Sequence, residues 1–320
     1  MMEWPAMDRR HLLFTGLAGL TTGCVGGATG IFQDAETEWP PQGAIVPTKA
    51  GRIHVWDKGA GTPVVLIHGA SGNLRDFTWG LGGEIAQSRR AVAMDRPGFG
   101  YSDRIGPNGG DPAVQARALM AAAAEIGLQN PIVVGHSWGA AVAMSWALQD
   151  RENVKGVITV AGAVMPWSDK PSLPELLGLD HLLVNTYFNY LQSSAARGGI
   201  DRFVDRIFSP QDPPEGYADY VGGQLALRAE SLAANKEDIT TINQALIRQS
   251  RDYGRLQVPV EIVSGTEDFI IDPKRQPIPF AELLPDARLT LLDGVGHMPH
   301  HVAPDAILAA LDRLDSDGTA

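Results

Sequence analysis

A serine flanked by glycines is the clearest chemical signal in this 320-residue chain. An apolar run ends in Gly135-His136-Ser137-Trp138-Gly139, and alanine-rich sequence follows. A serine on a sharp turn between strand and helix needs small residues two positions to either side, because the backbone there is strained. The turn also places the hydroxyl at a helix N-terminus, where backbone N–H groups favour negative charge. Ser137 is therefore the candidate nucleophile.

A second apolar run ends in His68-Gly69-Ala70. The glycine permits a sharp backbone turn that offers the N–H of Ala70 to the nucleophile. Together with the N–H of Trp138, it would form an oxyanion hole, which stabilises the tetrahedral intermediate of acyl transfer. We interpret His68 as a structural hydrogen-bonding residue rather than as a base.

Both motifs belong to a regular alternation of β-rich and helical sequence that starts near Gly51. Several β-rich runs are continuously apolar, which is typical of strands covered on both faces. The predicted strands are Arg52–Asp57, Val64–His68, Ala91–Asp95, Ile132–Gly135, Val157–Ala161, Val260–Ser264 and Arg288–Leu292. A helix is predicted over Pro112–Ile126, with Asp111 as its N-cap. The alternation predicts an α/β fold with a doubly wound, mostly parallel sheet.

The interval 165–256 has no strand pattern and is predicted to be a helical cap, inserted into an α/β core of residues 44–164 and 257–320. Such an insertion lies over the carboxyl edge of the sheet, where open α/β sheets hold ligands. The predicted helices are Leu173–Gln192, Ile200–Phe208, Tyr217–Ala234 and Glu237–Arg251. Aromatic residues in or beside the cap predict a largely apolar substrate site. They are Trp167, Tyr187, Phe188, Tyr190, Phe203, Phe208, Tyr217 and Tyr220.

A third motif makes the chain resemble a known superfamily. From Ala93 to Ser102 the sequence reads AMDRPGFGYS, in the turn that follows the next strand. With the His-Gly and Gly-x-Ser-x-Gly motifs, it resembles the α/β-hydrolase superfamily, in the capped branch related to epoxide hydrolases and cofactor-free haloperoxidases. The resemblance extends from about Gly51 to the C-terminus and implies an α/β-hydrolase fold. We interpret Asp95 and Arg96 as structural residues of this turn.

The resemblance also implies partners for the nucleophile. The superfamily's acid follows a late strand, a position that Asp268 fits, with Asp272 and Glu267 as weaker candidates. Its base follows the last strand, where His297 stands in a glycine-rich loop. The chain order serine, aspartate, histidine agrees with that fold.

These residues predict a serine hydrolase that acts through an acyl-enzyme. His297, oriented by Asp268, would take the proton of Ser137 as the hydroxyl attacks a carbonyl carbon, and would later activate water. The favoured substrates are small to medium, largely apolar carboxylic esters. C–C bond hydrolysis, lactone opening, acyl transfer and perhydrolysis by the same triad remain alternatives, as does a non-catalytic ligand-binding protein. Related epoxide hydrolases and haloalkane dehalogenases use an aspartate nucleophile, so the serine argues against those activities.

Composition limits the partners of the protein. The formal net charge of -11 argues against nucleic acid, because phosphate binding requires a basic surface. No cofactor is implied. His300 and His301 are adjacent, but no cysteine or second spaced cluster completes a site with them, so no metal is predicted. The sequence leaves the oligomeric state open.

The N-terminus has the pattern of an export signal. Arg9 and Arg10 precede a short apolar run, and the ending Leu-Thr-Thr-Gly-Cys24 resembles a bacterial lipobox. Residues 1–24 are therefore predicted to be a lipoprotein signal with Cys24 lipidated, which implies a periplasmic or cell-envelope protein anchored to a membrane. A cytoplasmic location is the alternative if the leader is not processed. Glycine, proline and acidic residues predict a flexible tether over 25–43.

Overall fold

The computed structural model describes residues 35–168 and 197–316 of the chain. Within them, eight strands form one sheet in the order β1-β2-β4-β3-β5-β6-β7-β8. The strands are β1 Ala44–Thr48, β2 Gly51–Gly59, β3 Pro63–Ile67, β4 Arg90–Met94, β5 Ile132–His136, β6 Gly156–Val160, β7 Val260–Gly265 and β8 Ala287–Leu292. The pairs β1–β2 and β2–β4 are antiparallel, and the remaining pairs are parallel. The predicted fold class is confirmed.

The parallel strands bring the chemical motifs to one edge of the sheet. In the centre, Gly135 of β5 pairs with Ile67 of β3 and with Thr159 of β6. The His-Gly motif and the serine motif therefore leave the sheet side by side. Strands β5, β6 and β7 are buried along their whole length, as is typical of parallel strands covered on both faces.

Helices cover both faces of the sheet. They are α1 Ala35–Glu38, α2 Arg75–Thr78, α3 Leu81–Ile85, α4 Pro112–Glu125, α5 Trp138–Gln149, α6 Arg197–Phe208, α7 Tyr217–Val221, α8 Ala229–Gln249, α9 Pro277–Leu283, α10 Pro299–Val302 and α11 Pro304–Ser316. One apolar core joins the sheet to α4 and α5, and a second joins its other face to α3 and α11. Helix α4 begins at the predicted N-cap, where the carboxylate of Asp111 accepts the N–H of Ala113 at 2.8 Å. None of the described helices is both long and apolar enough to cross a membrane.

The described residues between β6 and β7 form helices and contain no strand. The predicted helix Tyr217–Ala234 is wrong in its extent, because α7 ends at Val221. Gly222 adopts a left-handed φ of 62° there, which is a common way for a helix to end. A short 3-10 helix follows, and α8 then continues through the break predicted between 234 and 237. The predicted helix Leu173–Gln192, with Tyr187, Phe188 and Tyr190, lies outside the described residues.

The predicted tether does not extend to residue 43. Helix α1 begins at the buried Ala35, and Trp39 is only 7% exposed in an apolar cluster with Leu225. The indole N–H of Trp39 also donates to the backbone oxygen of Asp219. Burial of a large aromatic ring explains why this segment is ordered despite its proline-rich sequence. Residues 25–34, and Cys24 before them, lie outside the described residues.

Candidate active site

Ser137 lies in a strained turn between β5 and α5. Its φ of 51° and ψ of -118° fall where non-glycine residues are rare. The turn depends on the two glycines of the motif. A Cβ on Gly135 would lie 2.4 Å from the carbonyl oxygen of Gly139, and a Cβ on Gly139 would lie 2.4 Å from that of Ile67. The close packing therefore fixes Ser137 at the carboxyl edge of the sheet and at the start of a helix.

The structure brings together the three residues of the predicted triad. His297 Nε2 lies 3.0 Å from the hydroxyl oxygen of Ser137, and His297 Nδ1 lies 2.8 Å from Oδ2 of Asp268. A carboxylate oxygen accepts, so Nδ1 carries the proton and Nε2 is free to accept the serine proton. All three side chains are buried to at least about nine-tenths: Ser137 is 9% exposed, Asp268 3% and His297 4%.

Backbone hydrogen bonds distinguish Asp268 from the two weaker acid candidates. Oδ1 of Asp268 accepts the N–H groups of Ile270 and Ile271 at 2.9 and 2.8 Å, which orients its other oxygen toward the base. Glu267 is exposed. Asp272 accepts the N–H of Lys274. The carboxylate beside His297 is thus the one that the superfamily resemblance implied.

The backbone after β3 passes directly beside the nucleophile. A Cβ placed on Gly69 would lie 3.1 Å from Cβ of Ser137, a distance that leaves little room for a side chain. Ala70 follows in the chain, and Trp138 is the first residue of α5. Ala70 and Trp138 thus each adjoin a residue at the nucleophile, and their role in binding an oxyanion stays a prediction.

His68 is a structural residue, as the sequence predicted. Its Nε2 accepts the backbone N–H of Arg96 at 2.9 Å, so the proton is on Nδ1, which donates to the backbone oxygen of Gly69 at 2.8 Å. Burial, followed by the nearby charge of Arg96, lowers the pKa of His68 to about 4. The imidazole is neutral at physiological pH and braces the loop that carries Ala70.

Arg96 connects the same loop to helix α8. Its guanidinium is fully buried, donates to the backbone oxygens of His68 and Gly69 at 3.0 Å each, and lies 2.6 Å from the carboxylate of Asp238. Burial lowers the pKa of Arg96 and raises that of Asp238. In the same turn, the carboxylate of Asp95 accepts two backbone N–H groups and faces a histidine. Both residues have the structural role predicted for them.

A second histidine–carboxylate cluster, which sequence analysis did not identify, lies next to the triad. Oδ1 of Asp76 accepts from the hydroxyl of Tyr217 at 2.7 Å and faces His301 Nε2 at 2.8 Å, and Oδ2 faces His300 Nε2 at 3.1 Å. His136 completes it, with Nδ1 3.8 Å from Oδ2 of Asp76. Asp76 lies in α2, and His300 follows it by 224 positions in the chain. No sequence motif connects residues that far apart, so this cluster is visible only in the folded structure.

Charge in this cluster is concentrated on the carboxylate. Burial alone would raise the pKa of Asp76, but its contacts with His300 and His301 hold the pKa well below the ordinary value. Burial lowers the pKa of His300 to about 4. Burial also places the pKa of the Tyr217 hydroxyl well above its ordinary value, so this hydroxyl remains a hydrogen-bond donor.

Asp76, His300 and His301 also place three potential metal ligands within 4.8 Å of one another. Two ligands of one tetrahedral zinc ion lie about 3.3 Å apart, given bonds of about 2.0 to 2.1 Å. The distances of 2.8 and 3.1 Å are those of hydrogen bonds. In addition, Nδ1 of His300 is buried and has no hydrogen-bond partner in the part of the chain that the structure describes, whereas a metal-bound histidine normally donates this N–H. The cluster fits a hydrogen-bond network better than a metal centre.

Comparison with known proteins identifies the family of this chain. Residues 62–304 match the model of the alpha/beta hydrolase fold family. A 2-hydroxymuconate semialdehyde hydrolase from Pseudomonas putida is 26% identical over 283 residues, which cover 82% of this chain and 90% of the relative.

Solved structures show the same fold. A meta-cleavage product hydrolase from Pseudomonas fluorescens superposes with a TM-score of 0.70 at 17% identity, covering 87% of this chain and 99% of the other. An esterase from Exiguobacterium antarcticum gives a TM-score of 0.69 at 20% identity, covering 86% and 100%. The family match spans most of the chain and includes all three triad positions, and the chain therefore belongs to the alpha/beta hydrolase fold family.

Proposed function

We propose that this hydrolase cleaves small to medium, largely apolar carboxylic esters through an acyl-enzyme. The observation that carries the proposal is the buried series Asp268, His297 and Ser137, joined by contacts of 2.8 and 3.0 Å. Each contact has the donor and acceptor that nucleophilic catalysis by serine requires.

Each residue has a distinct role in the proposed reaction. Nε2 of His297 takes the proton of Ser137 while the serine oxygen forms a bond to the carbonyl carbon. The resulting oxyanion is stabilised by the N–H groups of Ala70 and Trp138. His297 then donates the proton to the leaving alcohol, and the acyl-enzyme forms. Water, deprotonated by the same imidazole, attacks the ester carbon. The bond to the Ser137 oxygen then breaks, the imidazolium returns its proton to that oxygen and the acid leaves, while Asp268 orients the ring throughout.

Apolar surroundings support an apolar substrate. Met298, next to the base, is buried in a cluster with Val204 and Phe208 of α6. Phe269 and Ile270, next to the acid, are 47% and 38% exposed. Such side chains favour uncharged acyl or alcohol groups. We also propose that residues 165–256 act as the cap that selects the substrate.

A second candidate reaction is hydrolysis of a C–C bond. The relative from Pseudomonas putida that is named a 2-hydroxymuconate semialdehyde hydrolase favours it. Both reactions use a serine, a histidine base and an oxyanion site, so they differ in substrate and not in the triad. Parallel assays with an ester, a lactone and a semialdehyde of the 2-hydroxymuconate type would separate them by their kcat/KM values.

The nucleophile provides the direct test of the proposed function. Ser137→Ala should lower turnover of a p-nitrophenyl ester by about a millionfold, because the covalent step is lost. Ser145→Ala is the matched control: this serine is also buried on α5, but it bonds to Gln249. A fluorophosphonate should label the wild type and the control on Ser137. Full activity of Ser137→Ala, or a label on another residue, would contradict the assignment.

We further propose that the leader exports the protein and that Cys24 is lipidated. The charged start, the short apolar run and the ending Leu-Thr-Thr-Gly-Cys24 support this. Ester substrates would then be met in the cell envelope.

A further inference from the structure

Two catalytic segments are joined by one buried side chain that the proposed reaction does not use. His136 precedes the nucleophile in the chain and is 4% exposed. Its Nε2 lies 3.0 Å from the backbone carbonyl oxygen of His297. The ring centroids of the two histidines are 5.0 Å apart. A single imidazole thus spans the gap between the turn that carries Ser137 and the loop that carries the base.

The contact determines which nitrogen of His136 carries the proton. A carbonyl oxygen only accepts hydrogen bonds, so Nε2 must be the donor. Nδ1 then carries a lone pair if the ring is neutral, or a second N–H if the ring is charged. It is buried and has no hydrogen-bond partner among residues 35–168 and 197–316, and Oδ2 of Asp76 lies 3.8 Å away. Burial holds the pKa of His136 well below its ordinary value, which agrees with the neutral ring.

Asp76 does not compete with the carbonyl oxygen of His297 for the N–H of His136, because other donors already contact its carboxylate. Tyr217, His301 and His300 contact the two oxygens at 2.7, 2.8 and 3.1 Å. The ring of His300 also packs against the ring of His136 with centroids 4.3 Å apart. The cluster therefore surrounds His136 with packed rings and leaves its Nε2 directed at the base loop.

The hydrogen bond from His136 adds a restraint to a glycine-rich base loop, which Gln211 also contacts at Gly294 and Gly296. His297 follows Gly294, Val295 and Gly296, and glycine backbones are flexible. A displacement of about 1 Å in a catalytic group can cost about a hundredfold in rate. The hydrogen bond from His136 to the carbonyl oxygen of His297 restrains the distance between the Ser137 hydroxyl and the base, across which the serine proton must pass.

We propose that His136 is a positioning residue, which holds the catalytic base against the nucleophile by donating its Nε2 proton to the carbonyl oxygen of His297. The proposal rests on the serine-hydrolase function argued above. His136 then does more than fill space beside the serine. The feature required for positioning the base is the N–H at Nε2, and a ring of the same size without that donor would not suffice.

Two variants of His136 separate the donor from the bulk of the ring. The amide of glutamine reaches the position of Nε2, whereas the shorter amide of asparagine reaches only that of Nδ1. His136→Asn should lower kcat for a p-nitrophenyl ester by about 10- to 100-fold and leave KM within about twofold, whereas His136→Gln should retain at least about a third of kcat. Fluorophosphonate should label Ser137 more slowly in the asparagine variant by a similar factor.

A spectroscopic readout reports on the base itself. The proton between His297 Nδ1 and Asp268 gives a low-field NMR resonance, assigned by its loss in Asp268→Asn. In His136→Asn this resonance should broaden through faster exchange with water, and in His136→Gln it should persist. The matched control is His54→Asn, since His54 is also buried and faces a carboxylate, Asp95, at 2.6 Å. The control should change neither kcat nor the resonance.

Two results would overturn the proposal. One is a His136→Asn enzyme with wild-type kcat and an unchanged resonance. The other is an equal loss in both variants, accompanied by the same fall in melting temperature, which would show that the ring only packs. In either case Ser137→Ala remains inactive if the proposed function is correct, so failure of the positioning role and failure of the function are distinguishable.

Discussion

The two carboxylate oxygens of Asp268 have different tasks. One faces the base, and the other accepts two backbone N–H groups that fix the orientation of the side chain. Asp268→Asn keeps the shape but can donate to His297 Nδ1, which stabilises the wrong tautomer. We expect kcat to fall by roughly 10⁴-fold. Steady-state kinetics with an activated ester would measure this loss.

The neighbouring Glu267 supplies the control for that measurement. It is a carboxylate one position away and is exposed, so Glu267→Gln should keep kcat within about twofold, as surface substitutions generally do. If the two variants lost activity equally, or if Glu267→Gln lost more, Asp268 would not be the acid.

The superfamily resemblance was sufficient to predict which three side chains meet, because each of them follows a strand that its apolar sequence reveals. It could not predict the role of Asp76 or His136. Asp76 lies in the short helix α2, and its partners lie more than 100 positions away along the chain. Contacts of that kind depend on how α2, α7 and α10 pack, and no local pattern encodes them.

Among the elements, the buried strands were the most predictable. Their predicted ends lie close to the observed ones because a continuous apolar run leaves little choice. Strand β1 was missed: it contains Pro47 and buries only Val46, as an edge strand can. The misplaced helix break has a similar explanation, since nothing around Asn235 interrupts α8, whereas Gly222 ends α7.

Helix α8 is attached to the core by a fully buried ion pair, Arg96 with Asp238. Asp238→Asn should lower the free energy of unfolding by about 3 to 5 kcal/mol, because it leaves the guanidinium charge buried without its partner. It should also reduce kcat, since the same guanidinium holds the backbone oxygens of His68 and Gly69. Urea titration and ester kinetics would measure the two effects.

An exposed ion pair gives the comparison for this experiment. Arg255 and Asp252 lie 3.7 Å apart with side-chain exposures of 78% and 52%, so Asp252→Asn should change stability by at most about 1 kcal/mol. A similar small change for both aspartates would show that Arg96 finds another partner and that the pair does not fix α8.

For the whole molecule, the proposed lipid anchor determines where the enzyme works. Cys24→Ser should move the protein from the membrane fraction to the soluble fraction, because a thioether-linked lipid cannot form on serine. Immunoblots of fractionated cells would follow it, with Thr29→Ser as a control that keeps the cysteine. Equal membrane association of both variants would reject lipidation at this residue.

The packing of Trp39 has a practical consequence for recombinant production. Its indole covers Leu225, its carbonyl oxygen accepts the hydroxyl of Tyr101, and the next carbonyl, that of Pro40, accepts from Arg75. A gene trimmed at the predicted end of the tether would delete this aromatic residue and expose the apolar surface around Leu225. Expression vectors for the hydrolase domain should therefore start upstream of Ala35, with any purification tag placed before that point.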